Sequence, residues 1–433
     1  MADGGRVRVF FVNRYFYPDH SATSQMLSDL AFGLAARGHS ITIVTSRLAY
    51  DDPKARLPGR ETVRGVEIIR VATTGFGRAG LVGRAVDYVT FYLAAVWLLL
   101  RRVRRGDVVV AKTDPPLLSI VTTPVARLRG AHSVNWLQDV YPEVAMALGM
   151  AGGGLSRLPF SALRRLRDWA LRTASLNVAI GERMAAELRR LGAAPDKILV
   201  VPNWADGRLI RPVAPDDNEL GRAWGLADKF VVGYSGNLGR AHDAETILAA
   251  ITLTEKSRAI VAAGSASSTL APAPTPSRQA IEWLFVGGGA QLSTLKARID
   301  QRGDRNVRFE PYQPRGRLSE SLSVPDVHLI TLRPGLEGLI VPSKYYGIAA
   351  AGRPAIFIGD PDGEIGRILS ATHTGLVVAE GDGAALARAI VSLADDPRSV
   401  DDMGRRARAL FEAKYDLTFA VAAWDDAIIR LTS

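Results

Sequence analysis

Residues 7–16, VRVFFVNRYF, form a nearly continuous apolar run. The polar stretch PDHSATSQ (18–25) leads from it into MLSDLAFGLAARGHS (26–40), and ITIVTS (41–46) follows. The order is strand, loop, helix, strand. A strand apolar on both faces, alternating with amphipathic helices, predicts a parallel sheet covered on both sides. Gly38 stands where the helix C-terminus calls for a left-handed residue. The alternation recurs in DVVVAK (107–112), a helix near 117–129, SVNWLQ (133–138), a basic helix over 156–173 and SLNVAI (175–180). KILVVPNWAD (197–206) closes this half.

A second series opens at Lys229 with KFVVGYSGNLG (229–239), a strand and a glycine-bearing turn, followed by the helix AETILAAI (244–251). IEWLFVGGG (281–289), NVRFEPY (306–312), VHLITL (327–332), PAIFIGD (354–360) and TGLVVA (374–379) supply further strands. The fold class expected is therefore α/β, with two doubly wound, Rossmann-like domains. The first spans 1–205, completed by a C-terminal helix over 416–433; the second spans 206–415. Such domains bind ligands at the carboxyl ends of their strands, so a cleft between them is the expected site. Residues 262–280, rich in Ala, Ser, Thr and Pro, read as a flexible surface insertion.

The chain has 433 residues, 47% hydrophobic and 23% charged, a composition that excludes disordered, collagen-like and coiled-coil classes. With no cysteine, a disulfide framework, a thiolate metal site and a cysteine nucleophile are all excluded. The cytosol is the natural compartment, and no secretory signal is expected from the short polar start. The net charge of +10 is unevenly spread. Residues 1–205 hold 28 Lys and Arg against 16 Asp and Glu, whereas 206–433 hold 26 against 28. One domain is thus expected to face an anionic surface, nucleic acid or membrane headgroups.

The segment VDYVTFYLAAVWLLL (86–100) runs into RRVRR (101–105). Fifteen residues containing Asp87 fall short of the roughly 20 needed to span a bilayer. Two readings remain: a buried helix, or a helix dipping an apolar face into the membrane interface, with Trp97 there and Arg101, Arg102, Arg104 and Arg105 at the headgroups. A second basic helix, with Arg157, Arg164, Arg165, Arg167 and Arg172 around Trp169, favours the membrane-facing reading over the buried helix.

The stretch GLEGLIVPSKYYGIAAAGRPAIF (335–357) carries the strongest local chemistry. Pro342 suits the first turn of a helix, the amides around Ser343 and Lys344 would face an anion at its positive end, and Gly335 and Gly338 permit close backbone approach. A helix that merely begins after a glycine turn is the plain alternative. Together with the opening strand and PDHSATS loop, PNWAD and YSGNLG, this stretch resembles the GT-B retaining glycosyltransferases, most closely family 4 in its surface-polysaccharide branch. The resemblance covers nearly the whole chain.

That resemblance implies a nucleotide-sugar donor in the second domain and an acceptor in the first. It makes Glu337 the glutamate near the donor sugar, while the position of a second glutamate is occupied by Gly347. Tyr345 and Tyr346 are then either substitutes on the ribose or core residues. The family's arginine and lysine after the YSGNLG strand match Asn237 and His242, leaving Arg240 and Lys344 for the diphosphate. Donor contacts are expected at Gly236, Asn237, Arg240, Tyr312, Gly338, Leu339 and Ser343. In the first domain Asp139 matches a polar residue facing the donor, and would orient an acceptor hydroxyl or stabilise an oxocarbenium-like centre. A helix N-cap before Pro142 and Glu143 is the alternative for Asp139. Ser21, Ala22 and Thr23 stand where relatives place glycines near the phosphates.

Other signals carry no chemistry. Gly287–Gly289 lacks the dinucleotide spacing, Asp360-Pro361-Asp362-Gly363 reads as a turn rather than a metal site, and six scattered histidines show no zinc spacing. The expectation is a catalyst needing no cofactor or metal. It would be cytoplasmic and peripheral at the inner face of the membrane, moving sugar from a nucleotide donor to a polyprenyl-linked or growing saccharide, with no nucleic-acid partner. A nucleotide-sugar epimerase of the same fold and a non-catalytic scaffold are the alternatives.

Overall fold

A computed structural model describes residues 6–19, 21–49, 56–77, 81–149, 157–254 and 280–433. In chain order the first elements are β1 (Arg8–Val12), α1 (Ala22–Ala36), β2 (Ser40–Ser46), β3 (Arg60–Val63), β4 (Val66–Val71) and α2 (Leu81–Arg102). They continue with β5 (Val108–Ala111), α3 (Ser119–Leu128), β6 (His132–Trp136), α4 (Glu143–Ala147), α5 (Arg157–Thr173), β7 (Leu176–Ala179), α6 (Glu182–Arg190) and β8 (Ile198–Val200). Next come α7 (Glu219–Ala223), β9 (Phe230–Asn237), α8 (Glu245–Thr254), β10 (Ile281–Gly288), α9 (Ala290–Arg302), β11 (Val307–Glu310), α10 (Leu318–Ser323) and β12 (Val327–Thr331). The last are α11 (Lys344–Ala350), β13 (Ala355–Ile358), α12 (Glu364–Thr372), β14 (Gly375–Val378), α13 (Gly383–Asp395), α14 (Pro397–Lys414) and α15 (Leu417–Thr432).

The chain divides into two units: Met1–Asn203 with Gly338–Val341 and Leu417–Ser433, and Trp204–Glu337 with Pro342–Asp416. The first holds an eight-stranded sheet in the order β3-β4-β2-β1-β5-β6-β7-β8 and the second a six-stranded sheet in the order β11-β10-β9-β12-β13-β14. All pairings are parallel except β3 with β4. That antiparallel edge hairpin is not legible in the sequence, because β3 alternates exposed and half-exposed residues and β4 buried and half-exposed ones, so neither forms an apolar run.

Strand order reverses between β1 and β5 in the first unit and between β9 and β12 in the second, and these switch points are where doubly wound sheets receive ligands. In the first unit, Phe11 of β1, Trp136 of β6 and Trp424 of α15 form one buried aromatic cluster, with Trp136 and Trp424 centroids 5.1 Å apart. Asp425 on the same helix binds Arg37 and His39, each at 2.6 Å, so α15 is an integral layer of this unit. Gly338–Val341 also belongs here: Asp139 pairs with Ile340, and the Val140 N–H donates to the Leu339 carbonyl at 2.9 Å.

Several expectations change. The expected insertion over 262–280 lies outside the described residues apart from Ala280, whose carbonyl accepts from the Phe230 N–H at 2.9 Å. The apolar run 86–100 lies within a helix of 22 residues, so the argument that it is too short to span a bilayer fails; Val82–Arg102 is long and apolar enough to cross. One face of α2 nevertheless packs into the first unit through Phe91, Ala95, Leu98 and Leu99. Asp87, fully buried, binds Arg14 at 3.2 Å and accepts from Thr74, Phe76 N–H and Gly77 N–H. Those four partners hold the Asp87 carboxyl below its usual range against the opposing effect of burial, itself the largest influence. Pro342 lies ahead of α11 rather than in its first turn, since Ser343 is the N-cap and Lys344 the first helical residue.

Candidate functional site

The switch point of the second unit gathers four elements around Lys344. β9 ends in Ser-Gly-Asn, and Gly236 adopts φ 118°, a conformation that favours glycine. A Cβ there would lie 2.9 Å from Lys344 Cε, so the missing side chain is what lets the lysine cross the strand end. The Lys344 ammonium lies 5.2 Å from the Tyr234 ring centroid and 3.3 Å from His242 Nε2. His242 Nδ1 is 2.6 Å from the carbonyl of Thr331, the last residue of β12. A carbonyl can only accept, so Nδ1 carries the proton and Nε2 presents a lone pair to Lys344. Burial, and then the Lys344 charge, push the His242 pKa down to about 3, against the Thr331 bond, which keeps the ring neutral. Burial alone lowers Lys344 to about 8. An ammonium so desolvated gains most from an anion arriving beside it.

Around this pair, Tyr312 is 62% exposed and its ring lies beside Gly287 and Gly288, where Cβ atoms would approach within 3.1 and 3.3 Å. Asn237, Arg240 and Ser343 are exposed. Glu337 Oε2 accepts from the Glu364 N–H at 3.1 Å, placing its carboxylate at the start of α12, where the helix dipole favours a negative charge. Tyr345 and Tyr346 are buried and packed on each other and on Tyr415, so they are core residues and not ribose ligands. Gly347 faces Leu322 and Ile210, whose methyl carbons lie 3.4 and 3.9 Å from where its Cβ would be.

In the first unit Asp139 follows β6, and its Oδ1 is buried without a hydrogen-bond partner among the described residues. It is not a helix cap: α4 begins at Glu143 with Pro142 at its N-cap. Burial and Asp114 raise the Asp139 pKa to about 7, opposed by a hydrogen bond from Thr113 and by Lys112. Ser21 is the N-cap of α1 and Ala22 and Thr23 begin that helix. Gly338 and Leu339, expected with the donor, lie in this unit; Gly338 has φ 75°, and its Cβ position would be 3.2 Å from the Arg183 carbonyl. Of the basic residues, Arg167 is withdrawn from any headgroup role: it is buried, forked onto Glu143 at 2.7 and 2.8 Å and bonded to the Tyr141 carbonyl. Arg157 has no described side chain, whereas Arg101, Arg102, Arg104 and Arg105 are exposed. Among the described residues no group of three His, Cys, Asp or Glu is placed to hold a metal, and Asp360 accepts from the Asp362 N–H at 2.9 Å as a turn residue does.

Two residues of this geometry escape the sequence reading. His242 is legible only as a departure from the family pattern, and its link to Lys344 crosses 102 residues. Lys112 is legible as a lone charge ending an apolar strand, a weak signal.

Residues 22–204 match the model of the Glycosyl transferase 4-like domain. The chain is 27% identical over 404 residues to WbjE of Pseudomonas aeruginosa, a probable glycosyltransferase by name, covering 91% of this chain and 93% of that one. It is 22% identical over 383 residues to WcaI of Escherichia coli K12, a colanic acid biosynthesis glycosyl transferase by name, covering 86% and 88%. Among solved structures, Anabaena HepE in complex with UDP and glucose superposes with a TM-score of 0.68 at 14% identity, covering 98% of this chain and 99% of that one. The two-sheet architecture is that of the GT-B fold.

Proposed function

We propose that this chain, a glycosyltransferase with a family-4-like domain on a GT-B fold, transfers sugar with retention from a nucleotide-sugar donor to a lipid-linked or growing saccharide in surface-polysaccharide biosynthesis. The observation that carries the reading is Lys344, a desolvated ammonium oriented by a neutral imidazole at the switch point of the second unit. As the bond between the anomeric carbon and the leaving phosphate breaks, negative charge grows on the diphosphate, and a cation poised there stabilises the transition state more than the ground state. The acceptor hydroxyl then bonds to the anomeric carbon on the face the diphosphate leaves, and its proton passes to that phosphate. Asp139 is assigned to the sugar in the first unit, where a carboxylate stabilises oxocarbenium character. With Lys344 in place, no divalent metal is required. HepE, which holds UDP and glucose, and WcaI, with its colanic acid name, support a uridine-linked donor and a polysaccharide product.

The exposed face of α2 supports work at a membrane surface in the cytoplasm. Val82, Val86, Val89, Leu93, Trp97 and Leu100 form a stripe at helical spacing, with Val82 79%, Leu93 66% and Trp97 55% exposed. Arg101 lies on the Trp97 ring, 3.8 Å from its centroid, at the end where Arg102, Arg104 and Arg105 follow. An apolar stripe ending in cations matches the boundary between acyl chains and anionic headgroups.

The test is to incubate the purified protein with UDP-, GDP-, ADP- and TDP-sugars and a polyprenyl-diphosphate-linked saccharide, following nucleoside diphosphate release and the anomeric configuration by NMR. Acceptor-dependent release of one diphosphate with retained configuration is expected, in chelator as well as in magnesium. Inverted product, or epimerised donor without acceptor, would overturn the reading.

A further inference from the structure

A buried lysine lies at the other switch point. Lys112 directly follows β5, and its N–H donates to the carbonyl of Val12 at the end of β1 at 3.1 Å. It is 2% exposed. Its Nζ sits 3.2 Å from the centroid of the Trp136 ring and has no hydrogen-bond partner among the described residues. A π face offsets part of the cost of desolvating an ammonium, and the remainder requires an anion. Lys112 and Asp139 line the same cavity, about 30 Å³, which is room enough for a bridging water. Asp139 Oδ1 is itself buried and without a hydrogen-bond partner among the described residues. The other charged and titratable groups facing Asp139 are Asp114 after β5 and Tyr141, and Arg167 of α5, committed to Glu143, lines the cavity.

We propose that Lys112 is a positioning residue for the transfer reaction: its ammonium, seated on the Trp136 ring and facing the cavity it shares with Asp139, is the counter-charge that favours the ionised form of the Asp139 carboxylate against its burial. The inference rests on the assignment of Asp139 to the reacting sugar. Burial is the larger influence on both groups, lowering Lys112 well below the ordinary lysine value and raising Asp139, and each group opposes that shift by favouring the charged form of the other. A lysine of purely structural use, its stem packed and its charge idle, would leave Asp139 indifferent to its removal.

The experiment is a carboxyl ¹³C NMR titration of Asp139, assigned with Asp139→Asn, in the wild type and in Lys112→Met, alongside the pH profile of kcat/KM. The Met variant keeps length and removes charge, and it should raise the Asp139 midpoint measurably, as loss of an opposite charge does. The rising limb of the profile should move by the same amount. An unmoved midpoint overturns the role of Lys112. Should the variant fail to fold, Lys112 is one of only eight lysines, and its ¹³Cε resonance in the wild type decides. That resonance should step at the Asp139 midpoint, and a flat response through it overturns the pairing. An Asp139→Asn enzyme of undiminished activity would instead overturn the assignment of Asp139, while a moved midpoint would leave the pairing standing.

Discussion

The Nζ of Lys344 lies 3.3 Å from Nε2 of His242, and because the Thr331 carbonyl takes the proton on Nδ1, the imidazole meets the ammonium only as an acceptor. The histidine that departs from the family pattern therefore aims the cation instead of supplying one.

Replacing the cation should show this directly. Lys344→Ala should lower kcat/KM about a hundredfold or more, the scale of losing one preorganised donor at a developing charge. His242→Leu should cost about tenfold through the lost charge-assisted hydrogen bond, and His242→Gln, which can still accept, should cost less. Steady-state kinetics check the order, and equal losses for Leu and Gln would refute the orienting role.

The two shifted groups predict a narrow pH optimum. Asp139, with a midpoint raised to about 7, gains its negative charge as pH rises through that value. Lys344, lowered to about 8, loses its positive charge above that value. The kcat/KM profile, which reports the free enzyme, should rise through about 7 and fall above about 8. Lys344→Met should abolish the alkaline limb and leave the acid one. His242, at about 3, should add no inflection in this range.

Gly236→Ala is a test of the cradle. The left-handed φ of 118° and the 2.9 Å approach to Lys344 Cε make a methyl costly twice, through backbone strain of about 1–2 kcal/mol and through displacement of the lysine. Thermal melting should show a modest loss, and kinetics should show a fall greater than that of an exposed control such as Gly316→Ala, which meets nothing within 4 Å.

Trp424→Ala should destabilise the first unit by about 3–5 kcal/mol, because the indole is fully packed between Phe11 and Trp136. Urea unfolding followed by tryptophan fluorescence measures this, and a loss below 1 kcal/mol would show that α15 is dispensable to the core.

On vesicles of anionic lipid, exchanging Arg101, Arg102, Arg104 and Arg105 for Gln should weaken partition several-hundred-fold, at about 1 kcal/mol per arginine. Adding Trp97→Ser should weaken it further, and the deficit should shrink as salt rises. Sedimentation with liposomes is the measurement, and unchanged binding would remove α2 from the interface.

The alternation of apolar runs with amphipathic helices made two doubly wound sheets legible, and the order of PDHSATS, YSGNLG and GLEGLIVPSKYYG made a resemblance to glycosyltransferases legible, which the match of residues 22–204 to the Glycosyl transferase 4-like domain supports. The β3–β4 hairpin was not, because its faces alternate in a short span that resembles a loop. The length of α2 was not, because Leu81–Asp87 is mixed in character and becomes helical by packing and by the partners of Asp87.

What the sequence by itself determined is therefore what short-range periodicity, motif order and charge can carry: the kind of sheet, the resemblance to glycosyltransferases, and the basic excess of the first half. The tertiary structure alone decided that Tyr345 and Tyr346 are core, that Arg167 serves Glu143, that His242 orients Lys344, and that Lys112 is buried on Trp136. Each of these depends on desolvation and on a partner distant along the chain. A side chain's charge and role are set by the atoms that replace its water, and those atoms are brought to it only by the fold.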